Sequence, residues 1–127
     1  VVFAIRLAGE LVGTTSFFDF NPVLPAAEIG ATWLDVSQHG TGLNRMIKYL
    51  MLRHAFEEWQ LVRVQLKTAA SNLRAQRAIE KLGAQREGLL RNHRRLADGR
   101  LDHTVMYSIT DSEWPQVKAG LESRFGA

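Results

Sequence analysis

The chain has 127 residues, 46% of them apolar and 23% charged, with a formal net charge of +3 and no cysteine. That is one domain with enough apolar material for a core, and the missing cysteines exclude disulfides, thiolate metal sites and a cysteine acyl-enzyme. No apolar run reaches the roughly 18–20 residues of a membrane span and no signal-peptide pattern is visible, so a non-membrane protein of the cytoplasm is the expectation.

In chain order, residues 1–7 (VVFAIRL) predict a strand in which Phe3, Ile5 and Leu7 alternate with Ala4 and Arg6. A strand with no polar lead-in suggests that the natural domain has an N-terminal part before it. Ala8-Gly9-Glu10 turns the chain, and residues 11–20 (LVGTTSFFDF) return as the partner of a β-hairpin. Pro22 and Pro25 break the pattern, and Ala27-Glu28 enters a third strand, completing a meander. There Ile29, Ala31 and Trp33 alternate with Gly30, Thr32 and Leu34. A glycine-bearing turn (SQHGTGLN, 37–44) then leads into a long helix whose apolar face is predicted to be Leu43, Met46, Ile47, Leu50, Met51, His54 and Ala55. His54 is read there as a core histidine.

Gly40 and Gly42 let the main chain turn sharply where the first helical N–H groups stay unpaired. Such an end attracts phosphate. The first helical turns carry Arg45 and Lys48 but no acid, against the usual preference set by the macrodipole, which leaves room for a ligand's charge. An ordinary ligand-free turn is the alternative.

Residues 61–69 (LVRVQLKTA) predict a strand parallel to the third, through a right-handed βαβ crossover. Ser71-Asn72 supplies an N-cap for a short helix with Ala75, Ala78, Ile79 and Leu82 inward and Gly83 as its C′ glycine. Residues 85–96 and 100–110 flank Asp98-Gly99 as a hairpin, with Val105, Tyr107 and Ile109 alternating. Asp111 or Ser112 caps a closing helix that buries Trp114, Val117, Leu121 and Phe125, with Pro115 in its first turn. Arg86, Arg91, Arg94, Arg95 and Arg100 crowd the hairpin with His93 and His103. Such a cluster fits nucleic acid, a phosphorylated cofactor or a solvated face, and no nucleic-acid motif accompanies it. No His and acid pair has the spacing of a zinc site, so no metal is expected, and neither a G-x-S-x-G nor a Walker-type lysine is present.

HGTGLN at 39–44 resembles the pyrophosphate loop (Q/R-x-x-G-x-G/A) of the GCN5-related N-acetyltransferases, with His39 in place of Gln/Arg and Asn44 in place of the last Gly/Ala. The order meander, glycine loop on a helix, strand, Asn-led helix and terminal hairpin is similar to that superfamily over nearly the whole chain. GTGLN with the following helix ending LRHAFEEW, then VQLKTAASNLRAQRAIEKLGAQREGLLR, DGRLDHTVMYSI and the EWP at 113–115 look most like its RimJ/RimL-like ribosomal-protein-alanine group. The resemblance implies an α+β (α/β) fold with a mixed sheet whose parallel strands splay apart. It also implies acetyl-CoA as donor and a primary amine as acceptor, on a protein N-terminus or a small molecule, with direct transfer in a ternary complex.

By the same resemblance, Trp33 and Leu34 hydrogen-bond the pantetheine arm through their main chain, and a main-chain N–H near Leu34 polarises the thioester carbonyl. The amides of Gly40, Thr41, Gly42, Leu43 and Asn44 hold the pyrophosphate. Asn72 contacts the arm, with the helix cap as its alternative role, while Arg77 and Lys81 reach the nucleotide end. A homodimer is a further implication. Glu28 on the third strand is the candidate general base, with His93 and His103 as others, and Tyr107 is a candidate proton donor. The chain departs from the family pattern at Ile79, where many members have a tyrosine acid, at Ala75, where some relatives have serine, and at Arg94, where relatives carry a carboxylate. Those departures leave open a coenzyme-A-binding module with little catalysis, beside a basic nucleic-acid-binding protein.

Overall fold

A computed structural model describes residues 1–125. Its six strands are β1 (Val2–Leu7), β2 (Glu10–Asn21), β3 (Ala26–Leu34), β4 (Arg63–Ala69), β5 (Gln85–Arg95) and β6 (Leu101–Thr110), in the spatial order β1-β2-β3-β4-β6-β5. Three helices, α1 (Leu43–Arg53), α2 (Leu73–Lys81) and α3 (Trp114–Phe125), connect and close them. Every pairing is antiparallel except β3 with β4. The expected mixed sheet, with an antiparallel meander, a parallel βαβ unit and a terminal hairpin, is the fold observed.

Alternation decides which residues face the helices. Val64 and Leu66 on β4 and Val105, Tyr107 and Ile109 on β6 share one core with Leu52 and Ala55 from the α1 segment and Leu121 from α3. Gly83 ends α2 at φ 99°, a left-handed conformation that glycine adopts without cost. Gly13 is required by close approach: a Cβ on it would stand 2.1 Å from the carbonyl oxygen of Trp33 on β3.

Three local expectations are corrected. The alternation in β3 fails past Gly30, because Ala31 takes φ 49° and the β2–β3 register shifts there. This bulge turns Trp33 outward to 58% exposure while Ile29 stays in the core. The buried arc of α1 is also rotated from the predicted stripe. Leu50 is 44% exposed, whereas Tyr49, Leu52 and Phe56 are buried, since α3 supplies a second packing surface. Phe56 stacks on Trp114 at 5.5 Å, and Tyr49 meets Phe125 edge-on. His54 consequently lies on the exposed side, its ring 4.7 Å from that of Trp59, and is not a core histidine. It begins a π-helical turn, His54–Glu58, that continues α1. Third, neither Asp111 nor Ser112 caps α3. The first helical bond runs from the Val117 N–H to the Glu113 carbonyl, and the Glu113 carboxylate turns back to accept from the N–H and hydroxyl of Thr110.

Candidate active site

The parallel pair β3–β4 is paired at only three positions, Ala26↔Arg63, Ala27↔Val64 and Glu28↔Gln65. Beyond Glu28 the strands part. β3 continues to Leu34 held by β2, and β4 continues to Ala69 held along its whole length by β6. Their facing edges form a wedge inside the sheet, where an extended ligand carrying amides can pair as a strand would.

The wedge opens onto the loop before α1. A short 3₁₀ turn (Val36–Gln38) follows β3, and Gly40 and Gly42 adopt φ 76° and 86°. Gly42 is the N-cap and makes no side-chain cap bond, and no acid occupies the first turn of α1. The Thr41 N–H bonds the Gln38 carbonyl weakly at 3.4 Å, and the Leu43 N–H takes the Thr41 hydroxyl at 3.3 Å. The amides of Gly40, Gly42, Asn44 and Arg45 have no protein partner among the described residues. Four free donors at a helix N-terminus make an anion cradle. His39 donates from Nε2 to the Leu34 carbonyl at 3.1 Å, tying the loop to the end of β3.

Between this loop, α1 and α2 lies a cleft of about 710 Å³. Arg45 and Lys48 of α1 and Arg74, Arg77 and Lys81 of α2 line it, with His39 at the rim. Among the described residues, no aspartate or glutamate does. Five cations facing one cavity repel one another, and a polyanion in that cavity relieves the repulsion. Thr32 and Leu34 of β3 form its strand wall, and Ala78, Ile79 and Leu82 an apolar wall opposite. Lys48 is buried, and its Nζ donates to Thr32 Oγ1 at 2.7 Å. Burial lowers its pKa to about 8.

The cleft thus gathers Leu34, Gly40, Gly42, Asn44, Arg77 and Lys81. Thr41 and Leu43 belong to the same loop, though their own amides are already engaged. Trp33 lies on the exposed side of the bulge. Asn72 accepts the Ala75 N–H at 3.0 Å and serves as the N-cap of α2. The turn before it is fixed by Asp102, which accepts from the Ser71 hydroxyl at 2.6 Å.

Glu28 lies at the last paired rung, where the wedge begins, and is only 1% exposed. Its Oε1 accepts from Gln65 Nε2 at 2.7 Å and its Oε2 meets Lys67 Nζ at 3.3 Å. Tyr107 is fully buried on the core face of β6 and its hydroxyl donates to Glu80 at 3.4 Å. Burial, then the Glu80 charge, push its pKa up, so it keeps its proton. His93 and His103 stay on the hairpin, where His103 Nδ1 accepts the Asn92 N–H and His93 Nδ1 pairs with the Thr104 hydroxyl. Neither faces the cleft, nor does Arg94, which donates to Thr104. Ile79 does face it and brings no acid.

Sequence reasoning missed Arg74 and Thr32 as lining residues and gave Lys48 only a charge. The available signal was position: Lys48 lies three and four residues before Met51 and Leu52, both buried, and so belongs to the inner arc of the helix.

Residues 1–85 match the family model described as "Acetyltransferase (GNAT) domain". The chain is 32% identical over 98 residues to "Probable N-acetyltransferase YjcK" of Bacillus subtilis, covering 76% of this chain and 54% of that protein. YdaF of the same organism, named as a ribosomal N-acetyltransferase, is 30% identical over 110 residues, covering 87% of this chain and 59% of YdaF. The chain therefore spans a little over half the length of the curated relatives it matches. A solved structure from T. thermophilus, assigned to the acetyltransferases, superposes with TM-score 0.87 at 46% identity, over 97% of this chain and 65% of that one. A GCN5-related N-acetyltransferase from Brucella melitensis has TM-score 0.90 at 24% identity, over 97% and 56%, which is a likeness of fold. With the splayed parallel strands, the glycine loop and these matches together, the chain belongs to the GNAT acetyltransferase family.

Proposed function

We propose that the chain binds acetyl-CoA in the cationic cleft and transfers its acetyl group directly to a primary amine, on a protein N-terminus or a small molecule. One observation carries the reading. Free loop amides and the β3 residues Thr32 and Leu34 share one cleft lined by cations, with no acid among the described residues, and β3 there has already parted from β4. That arrangement suits a molecule with a diphosphate at one end and an amide-bearing arm at the other.

When bound, acetyl-CoA supplies a thioester carbonyl open to attack by an amine. The amides of Gly40, Gly42, Asn44 and Arg45 hold the diphosphate, and Arg74, Arg77 and Lys81 take the nucleotide end. The edges of β3 from Thr32 to Leu34 pair with the arm, and main-chain donors there polarise the carbonyl. The acceptor approaches at the apex of the wedge, where Glu28 drains its proton through water, a role that contributes ~10²–10⁴-fold in comparable sites. Tyr107 holds α2 on the sheet through Glu80. The name of YdaF, a ribosomal N-acetyltransferase, supports a ribosomal amine as one acceptor class.

Titration with acetyl-CoA, read by the backbone resonances of Gly40 to Asn44, tests the binding half. Unmoved resonances at millimolar ligand dispose of it. Release of free CoA with a panel of amines tests the transfer. The engagement of both Glu28 oxygens and the apolar Ile79 favour a second reading, a CoA-binding module with little catalysis. Under it acetyl-CoA raises the melting temperature and no amine releases CoA.

A further inference from the structure

We infer that Lys48 is the acid of this site: its ammonium meets the departing sulfur of the acyl donor and gives it a proton. The inference rests on the reading of the cleft as an acetyl-CoA site and adds a residue to it.

Position comes first. Lys48 is six residues beyond Gly42, which places it about 9 Å along the helix axis from the anion cradle, at 1.5 Å per residue. Its Nζ does not return to solvent. It crosses to β3 and donates to Thr32, two residues before Leu34, on the strand that bounds the wedge. The ammonium therefore stands in the deep part of the cleft, between the phosphate end and the apex.

The bonding of this group is incomplete. Lys48 is 8% exposed, and of its three N–H donors one is used. No carboxylate pairs with it among the described residues. A buried, unpaired cation is costly unless a ligand completes it. The charged groups sharing its cavity are Arg45 from its own helix and Arg74, Arg77 and Lys81 from α2, with the titratable His39 from the loop; β3 contributes only uncharged Thr32 and Leu34. Behind Thr32 the network runs through the Thr15 hydroxyl at 2.8 Å to Met51 Sδ at 3.4 Å. Neither is a base that would take the proton inward.

Burial brings Lys48 to a pKa of about 8, close to the roughly 8.5 of a free thiol. Matched donor and acceptor exchange a proton with little uphill cost, which an exposed lysine near 10.4 would not allow. In the step, the acceptor nitrogen's lone pair forms the bond to the acyl carbon. The carbon–sulfur bond breaks and its electron pair stays on sulfur. A proton then passes from Lys48 Nζ to that sulfur, leaving a free thiol and a neutral lysine. The proton lost by the acceptor nitrogen goes to Glu28 or water, and Lys48 recovers one from solvent.

The test uses the full chain saturated with CoA, the thiol product, and titrates the bound thiol by the ultraviolet absorbance of its thiolate. The expected result is a thiol pKa below that of free CoA in the unaltered protein, returning upward by about one unit in Lys48→Met, since a unit charge in a desolvated site has effects of at least that size. In turnover, Lys48→Met lowers kcat about 10²-fold, and the fall of kcat/KM above about pH 8 disappears. Lys48→Arg keeps the charge and therefore the lowered thiol pKa, yet stays slow because a guanidinium does not give up its proton. A bound thiol that titrates at or above the free value in the unaltered protein overturns the inference without any variant. So does the same thiol pKa in the unaltered protein and in a Lys48→Met variant that binds CoA. Failure of CoA to raise the melting temperature of the unaltered protein overturns the acetyl-CoA reading itself.

Discussion

Two polar regions meet at β3, and they are built on opposite principles. At the apex, Glu28 accepts from Gln65 and pairs with Lys67, Gln65 in turn accepts from Arg63, and Arg63 is paired with Glu87. That array is closed. In the cleft, four amides and most of the Lys48 ammonium lack protein partners among the described residues, and all the charges have one sign. Closed arrays report in stability, because breaking one strands a buried group. Open ones report in binding, because they are completed by something that is not protein.

The harshest way to break the contrast is to distort the strand both regions share. Gly13→Val drives a side chain into the Trp33 carbonyl. It is expected to cost about 3 kcal/mol or more in urea denaturation, since backbone cannot give way as a side chain can, and to abolish the thermal shift with CoA. An unchanged midpoint would mean that β2 and β3 are not held together there.

Next is Glu28→Ala, expected to cost about 2 kcal/mol by leaving Gln65 and Lys67 without their acceptor. Glu28→Gln separates structure from chemistry. It keeps the shape, and if Glu28 takes the acceptor's proton, the acid limb of the pH–rate profile moves. An unmoved limb removes Glu28 from the chemistry. Asn72→Ala removes the α2 cap, at about 1 kcal/mol, and Asn72→Ser restores most of it. If KM for acetyl-CoA follows the cap and not the side-chain amide, Asn72 acts only on the helix.

The smallest effect is at Asp102, whose pKa is held low by the Ser71 hydroxyl first and by the His103 N–H next. A carboxylate with a lowered folded pKa gives stability that is present above its ordinary pKa, near 4, and is lost as pH falls through the folded value. The melting temperature should therefore fall on acidification below about pH 4, and less so in Asp102→Asn. An identical acid profile in both proteins would detach Asp102 from the Ser71-Asn72 turn.

How legible the molecule was depends on whether a residue's role is local. The α2 cap and the Gly83 stop follow from neighbours a few positions away, and both are present. So is the alternation of Val105, Tyr107 and Ile109. The bulge at Ala31 was not legible, because alanine carries no sign of a positive φ. The inner arc of α1 was misread because half of what covers it, Trp114 and Phe125, arrives from the far end of the chain. The parting of β3 and β4 came to the sequence only through family likeness, since no periodicity says how many rungs a parallel pair has. Lys48 was hidden for a related reason. A lysine beside Ile47 and Tyr49 reads as a solvated charge until the opposite wall is in place.

The three-rung seam also bears on how the molecule assembles. To its left the sheet is made from residues 2–34 alone, and to its right from residues 63–110. Each half is thus contiguous along the chain, and the left half, with the β5–β6 hairpin, closes its strand contacts at the shorter sequence separations, a condition for quick local folding. The seam has three rungs where β4 and β6 share seven, so amides at the seam should exchange with deuterium sooner than those between β4 and β6. A ligand seated beyond the seam would act as a stitch between two contiguous pieces of the chain.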